Sequence, residues 1–355
     1  AILALSEDLD DLKARLGRIL IGYTVGRRAV DRKPVYANEL KASGPMALVL
    51  RRALEPNLVQ TVEGVPAFVH AGPFANIAHG CNSVIATKTA LGHADIVVTE
   101  AGFGFDLGAE KFLNIKCRSA GVFPDALVLV TTVRAMKMHG GVAKADLADE
   151  NDEALRAGLA NLDKHVAAAA DLGLPVVVSI NHFNGDRDSE LSLIEEHCRA
   201  QGVACAVSKV FSEGGAGGDA IAGHVLEALK GESPTPQFTY ELSDSIETKI
   251  LKVVQSIYGG ASVTLAKKAR NRLKVIDRMG LSNLPVCMAK TQYSVSDDPT
   301  AVGAPSGFEI TVSELRIAAG AGFIVALTGA MMTMPGLPRV PASEAMDVRA
   351  DGSAE

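Results

Sequence analysis

Tryptophan is absent from this chain of 355 residues, and aromatic residues make up only 5% of it. Any surface that stacks on a flat ligand must therefore be built from a few Phe and Tyr side chains. No apolar run approaches the roughly 20 residues of a membrane-spanning helix. No cationic-then-apolar stretch of the signal-peptide kind is seen either. The five cysteines (Cys81, Cys117, Cys198, Cys205, Cys287) are scattered and never spaced as Cys-x-x-Cys. That argues against a disulfide framework or a zinc site and for a reducing, cytoplasmic setting. The eight histidines never fall in a His-Glu-x-x-His spacing, so no metal site is expected from protein ligands alone. A net charge of −6 gives no electrostatic case for nucleic acid. A phosphate loop of the form Gly-x-x-x-x-Gly-Lys-[Ser/Thr] occurs nowhere; the nearest glycine cluster, 214–218, lacks the lysine.

What is present is a hydrophobic fraction of 48%, enough for substantial cores, in a chain longer than one typical domain. Ser6 reads as an N-cap for a helix carrying Leu9, Leu12, Leu16 and Ile19. Residues 27–33 form a polar, basic loop, and 46–54 a short helix ended by Pro56. Residues 58–62 and 67–70 read as strands, the apolar run 66–69 as a buried one, and 82–91 as a helix. Strand patterns recur at 95–99, 125–133, 175–181 and 203–210, and helical spacing follows between them, notably Leu155, Leu159, Leu162 and Val166. Strands alternating with helices over short connections predict α/β architecture with doubly wound parallel sheets. An acidic shift at 143–152 is the candidate linker, giving α/β units at 1–150 and 151–320 and a small C-terminal segment at 321–355. After Thr235 the pattern turns helical through Arg278, with a basic face from Lys267 to Lys274. Short strands are expected again at 284–289 and 323–327.

Polar clusters fall at the carboxyl ends of the predicted strands: Asn76 and His79, residues 100–106, Arg134 to His139, 181–186, and 211–215. Open α/β sheets bind ligands at such ends, so a cleft is expected there. Each cluster also has an ordinary explanation. Asn76, His79, Asn82 and Ser83 could simply close a loop around one satisfied histidine. Glycines in 102–108 could converge backbone N–H groups on an anion or only permit a turn. Arg134, Lys137 and His139 could neutralise phosphate oxygens or pair with carboxylates such as Glu100 or Asp106. Phe183 and Phe211 could clamp a heterocycle or pack in the core. The 214–218 run could cradle an anion or be a flexible turn.

Four stretches resolve the choice by resemblance. The stretch Val69-His70-Ala71-Gly72-Pro73-Phe74-Ala75-Asn76-Ile77-Ala78-His79-Gly80-Cys81-Asn82-Ser83 is preceded by Asn57-Leu58-Val59-Gln60-Thr61 and followed by Thr99-Glu100-Ala101-Gly102-Phe103-Gly104. Further on comes Val130-Thr131-Thr132-Val133-Arg134-Ala135-Met136-Lys137-Met138-His139-Gly140-Gly141. In this order they resemble formate–tetrahydrofolate ligases, and the likeness runs from residue 1 to about 348.

The resemblance implies a P-loop NTPase-like fold that joins formate to tetrahydrofolate with ATP through formyl phosphate. It implies Arg134, Glu100 and His79 as catalytic residues. Asn76, Gly102, Phe103, Gly104 and Asp106 would line the formyl phosphate side, and Phe183, Phe211, Gly214 and Gly215 the folate side. Mg2+ would arrive with ATP, a monovalent cation could assist, and a homotetramer is implied. The position of Phe211 usually holds Trp in the family, and that of Phe105 Ala. Thr131 and Met136 replace the usual Ala and Leu of the signature. The family's phosphate loop lies in an N-terminal region that this sequence does not contain. The opening Ala1-Ile2-Leu3-Ala4-Leu5 reads as a cut inside an apolar element, so turnover is expected to need the N-terminal part. A non-catalytic chain that binds folate or a partner is the rival expectation.

Overall fold

The computed structural model describes residues 1–27, 31–329, 331, 333 and 338–349. Part of the predicted basic loop and much of the C-terminal segment lie outside these residues. Helices α1 (Ile2–Leu5) and α2 (Leu9–Gly17) open the chain. Asp8, and not Ser6, caps α2, accepting from Asp11 N–H at 2.8 Å. The Ser6 hydroxyl instead donates back to the Ile2 carbonyl. Strands β1 (Leu20–Tyr23) and β2 (Pro34–Tyr36) pair antiparallel, and α3 (Ser43–Leu50) packs its Ala47 against Leu12 and Leu16 of α2.

Strands β3 (Asn57–Gln60) and β4 (Pro66–Val69) form an antiparallel hairpin joined by a turn at 61–65. The buried strand of a parallel sheet expected from their apolar content is therefore not found; Leu58, Val59 and Val69 are exposed. Helix α4 (Val84–Leu91) follows, capped by Ser83 Oγ. The predicted strand at 95–99 does not form. Its β-branched run finds no neighbouring strand among the described residues to take its backbone hydrogen bonds, and Val98 stands 87% exposed. Apolar, β-branched composition fits a pleated half-buried surface but does not create one.

A continuous helical stretch then crosses the molecule. Two segments of it, Phe105–Ala109 and Phe112–Cys117, have the wider π-helical winding, and α5 (Arg118–Ala120) ends it at left-handed Gly121. Leu113 and Cys117 face the main core, whereas Ile115 and Ala120 face a second core built on Leu5, Val84, Cys287 and Phe323. This stretch is thus buried on both sides, and it carries Glu110, Lys111, Asn114 and Lys116 inside with it.

Strand β5 (Leu127–Thr131) leads to α6 (Val133–His139), and α7 (Asp152–Asp171) to β6 (Val176–Asn181). After α8 (Asp188–Ala200) comes β7 (Ala204–Ser208), then a single turn, α9 (Val210–Glu213), and α10 (Asp219–Ala228). Strands β5, β6 and β7 form a three-stranded parallel sheet in that order, as the alternating pattern predicts. Val128 and Val130 of edge strand β5 are exposed.

The helical prediction for 235–278 holds for α11 (Ile246–Val253) and α12 (Lys267–Arg278) but fails between them, where β8 (Ser262–Leu265) intervenes. With β9 (Val286–Ala289), β10 (Glu309–Ala318) and β11 (Phe323–Thr328) it makes a second sheet in the order β8-β10-β11-β9. That sheet is mixed. The β10–β11 pair is antiparallel and the outer pairings are parallel. Residues from both sheets, including Val178, Ile180, Val286 and Ile324, meet in one hydrophobic cluster with Phe105, Leu159 and Tyr258.

Candidate functional site

The first polar stretch folds mainly to hold itself together. His70 is buried, with Nε2 2.7 Å from the Ala53 carbonyl and Nδ1 2.7 Å from Ser83 Oγ. The network assigns the proton to Nε2. Asn82 donates to the Phe68 carbonyl and accepts from Ser83 N–H. Lys111, wholly buried, donates to the carbonyls of Ala75, Asn76 and Met288 and so ties this loop to the end of β9.

His79 is also fully buried, and neither ring nitrogen has a hydrogen-bond partner. Burial and the cations around it, Lys116 and Lys111 among them, drop its pKa to about 3. It is a neutral imidazole inside the protein.

Two sequence-predicted clusters come together at this loop. Gly102 N–H donates to the Gly80 carbonyl at 3.0 Å, and Cys81 bridges Ala101. The rings of Phe74 and Phe103 meet edge to face at 5.9 Å, and Phe103 holds a left-handed backbone, φ 64°. Gly108 must be glycine because a Cβ there would overlap the Gly102 carbonyl. The 102–108 glycines thus let a loop close on a helix. Glu100 stands exposed beside them.

A cavity of about 180 Å³ opens where this turn meets the carboxyl end of β5. With a water occupying about 30 Å³ of liquid, it has room for a molecule of a few heavy atoms. Gly104, Asp106, Thr131, His139, Asn161 and His165 supply its polar lining. Asp106 Oδ2 pairs with Lys290 Nζ at 2.5 Å. Burial alone would raise the Asp106 pKa, but Lys290, together with His165 and a backbone N–H, more than offsets it and holds the carboxyl below its usual range. His139 Nδ1 accepts from Gly303 N–H at 3.1 Å. Burial lowers the pKa of both His139 and His165, so both are neutral near pH 7. Thr131 Oγ1 and His165 Nδ1 have no partner in the protein. Of the buried polar atoms without a partner among the described residues, these two belong to residues that line the cavity.

Helix α6 links the cavity to a second, open region. Its cap residue Thr132 lines the cavity, and Arg134, two residues on, lays its guanidinium over the Phe183 ring at 5.0 Å. Phe183 follows β6 and Phe211 follows β7, and the two strands are neighbours through the pairing Asn181↔Ser208. Phe183 is 40% exposed and Phe211 91%. Neither is a core residue. Gly214 and Gly215 come next, and Gly215 N–H donates to the carboxylate of Glu63 on the β3–β4 turn.

The sequence model of the family described as formate–tetrahydrofolate ligase matches residues 1–355, the whole chain. The chain belongs to the formate–tetrahydrofolate ligase family. That family joins formate to tetrahydrofolate using ATP, which places this chain with the ligases of folate and one-carbon metabolism. Exposed Phe183 and Phe211 and the small cavity beside Thr131 are the two main features of this candidate site. Among the described residues no helix is long and apolar enough to cross a membrane.

Lys137 does not line the cavity. It forms a buried pair with Glu190 at 2.8 Å, so the carboxylate it satisfies is neither Glu100 nor Asp106. Sequence reading missed Lys290 and His165. Lys290 directly follows the apolar run of β9, and His165 shares the α7 face of Leu162 and Leu155. A polar residue at either spot was the available signal.

Proposed function

We propose that this chain binds tetrahydrofolate with its pterin between Phe183 and Phe211 and the acyl phosphate beside the 102–106 turn. The observation that carries it is the pair of exposed rings at the ends of neighbouring parallel strands. A Phe left 91% exposed gains most of its available burial only when a flat guest covers it.

In the reaction, a formate oxygen takes the terminal phosphoryl group of ATP and ADP leaves. The folate amine then attacks the formyl carbon, the C–O bond to phosphate breaks, and phosphate departs. Arg134, at the first turn of α6, is the cation that can leave Phe183 and meet phosphate oxygens; charge placed where it develops is worth several kcal/mol. Gly102, Phe103, Gly104 and Asn76 shape the turn around the acyl group. Asp106, held ionised by Lys290, fixes the cavity wall. Glu100, exposed at the same turn, is the carboxylate available to take the amine proton. His79 supports the turn from beneath as a neutral packing group. Magnesium would come with ATP. Among the described residues no three His, Cys, Asp or Glu side chains converge into a metal cage, and no step above is routed through an ion.

The test is direct. The 355-residue chain is mixed with ATP, formate and tetrahydrofolate, with and without a polypeptide carrying the family's N-terminal phosphate-loop segment. Formyltetrahydrofolate formed in the complemented mixture supports the reading. Folate binding without turnover in either mixture favours a non-catalytic binder, and no folate binding at all overturns the site.

A further inference from the structure

Glu63 reaches from the β3–β4 turn to a residue 152 positions away, where Gly215 N–H donates to its Oε1 at 2.6 Å. The seat is cut to the size of a carboxylate. A Cβ on Gly214 would lie 2.5 Å from Oε1, and one on Gly215 2.5 Å from Oε2. Gly214 also holds a left-handed backbone, φ 64°, that residues with side chains rarely adopt. Two consecutive residues without side chains are thus what lets this carboxylate come so close.

The seat adjoins the proposed aromatic clamp. Gly214 follows α9 directly, and α9 carries Phe211. The Glu63 side chain is exposed. A carboxylate offers about four lone-pair sites, and among the described residues Gly215 N–H is the backbone donor that occupies one of them. A fixed carboxylate with spare acceptor sites recognises a planar pair of parallel N–H donors, as it does a guanidinium. A pterin carries such a pair on one edge, at N3–H and the exocyclic 2-amino group.

We propose that Glu63 is a specificity-determining residue that accepts the N3–H and 2-amino donors of the pterin, with the Gly214–Gly215 seat holding it in place. This rests on the reading that the pterin lies between Phe183 and Phe211. Glu63 would select 2-aminopterins over flat heterocycles that only stack.

Calorimetric titration of the whole chain tests it, using tetrahydrofolate and its 2-desamino analogue against wild type, Glu63→Gln and Phe183→Ala. The isosteric Glu63→Gln keeps an oxygen for Gly215 N–H but presents an amide donor to the ligand; circular dichroism checks that each variant is folded. Wild type should prefer tetrahydrofolate at least tenfold. Glu63→Gln should lose that preference and bind both compounds alike. Phe183→Ala should weaken both compounds equally and keep the preference. A Glu63→Gln protein with the wild-type preference, or with tighter tetrahydrofolate binding, overturns the role of Glu63 while leaving the clamp intact. Failure of wild type to bind either compound overturns the folate reading and this inference with it.

Discussion

Lys290 Nζ lies 2.5 Å from Asp106 Oδ2, and the lysine has no solvent exposure at all. Lys290 also donates to the carbonyls of Thr291 and Ser294 and sits over the Tyr258 ring. The pair therefore joins the 102–106 turn to the chain leaving β9.

Replacing Lys290 with Met should strand the Asp106 carboxylate inside the protein. Removing one partner of a buried pair typically costs about 3–5 kcal/mol, and urea unfolding at pH 7 reads it. The double change Lys290→Met with Asp106→Asn should recover much of the loss. A single variant as stable as wild type would show that the ion pair does not brace the turn.

Glu110 offers a pH test. Its Oε2 has no partner, and burial raises its pKa to about 7, only partly countered by the hydrogen bond from Asn114. A carboxyl whose pKa is raised on folding contributes stability that is complete below its unfolded value near 4.5 and is lost as pH rises through 7. The loss is about 3 kcal/mol, at 1.36 kcal/mol per pKa unit. Glu110→Gln should flatten this part of the stability profile, followed as urea midpoints from pH 4.5 to 8. A slope unchanged by the substitution would assign it to other groups.

The aromatic pair can be graded by size. Phe183→Ala should weaken tetrahydrofolate binding by about 1–3 kcal/mol, the scale of burying one such side chain. Phe211→Trp should strengthen it by about 0.5–1.5 kcal/mol, because a larger ring stacks over more of the pterin. Fluorescence titration of the two variants gives both numbers, and an opposite sign for Phe211→Trp would remove that ring from the clamp.

The α/β character was legible because apolar runs such as 127–131, 176–181 and 204–208 have neighbours with matching runs, and pairing follows. The run at 95–99 has the same composition and no such neighbour among the described residues, so it stays exposed. Strand β8 was hidden because Ser262 to Leu265 is only four residues long between two strong helical patterns. Its pairing with β10 is set by a partner nearly fifty positions away. At the site, Phe183 and Arg134 were visible from their places after strands, and Asp106 from its glycine-bearing loop. Lys290 and Glu63 were not, because each acts through a contact across more than 150 residues that no local spacing encodes. The 102–108 glycines were visible as a loop, but only the fold shows that Gly108 serves a backbone crossing.

The most direct test of the whole account is a crystal structure of the chain with tetrahydrofolate bound. The pterin should lie between the rings of Phe183 and Phe211, with Arg134 displaced from Phe183 and the reactive amine turned toward the 102–106 turn. A pterin bound elsewhere, with the Arg134 guanidinium still over Phe183, would contradict it.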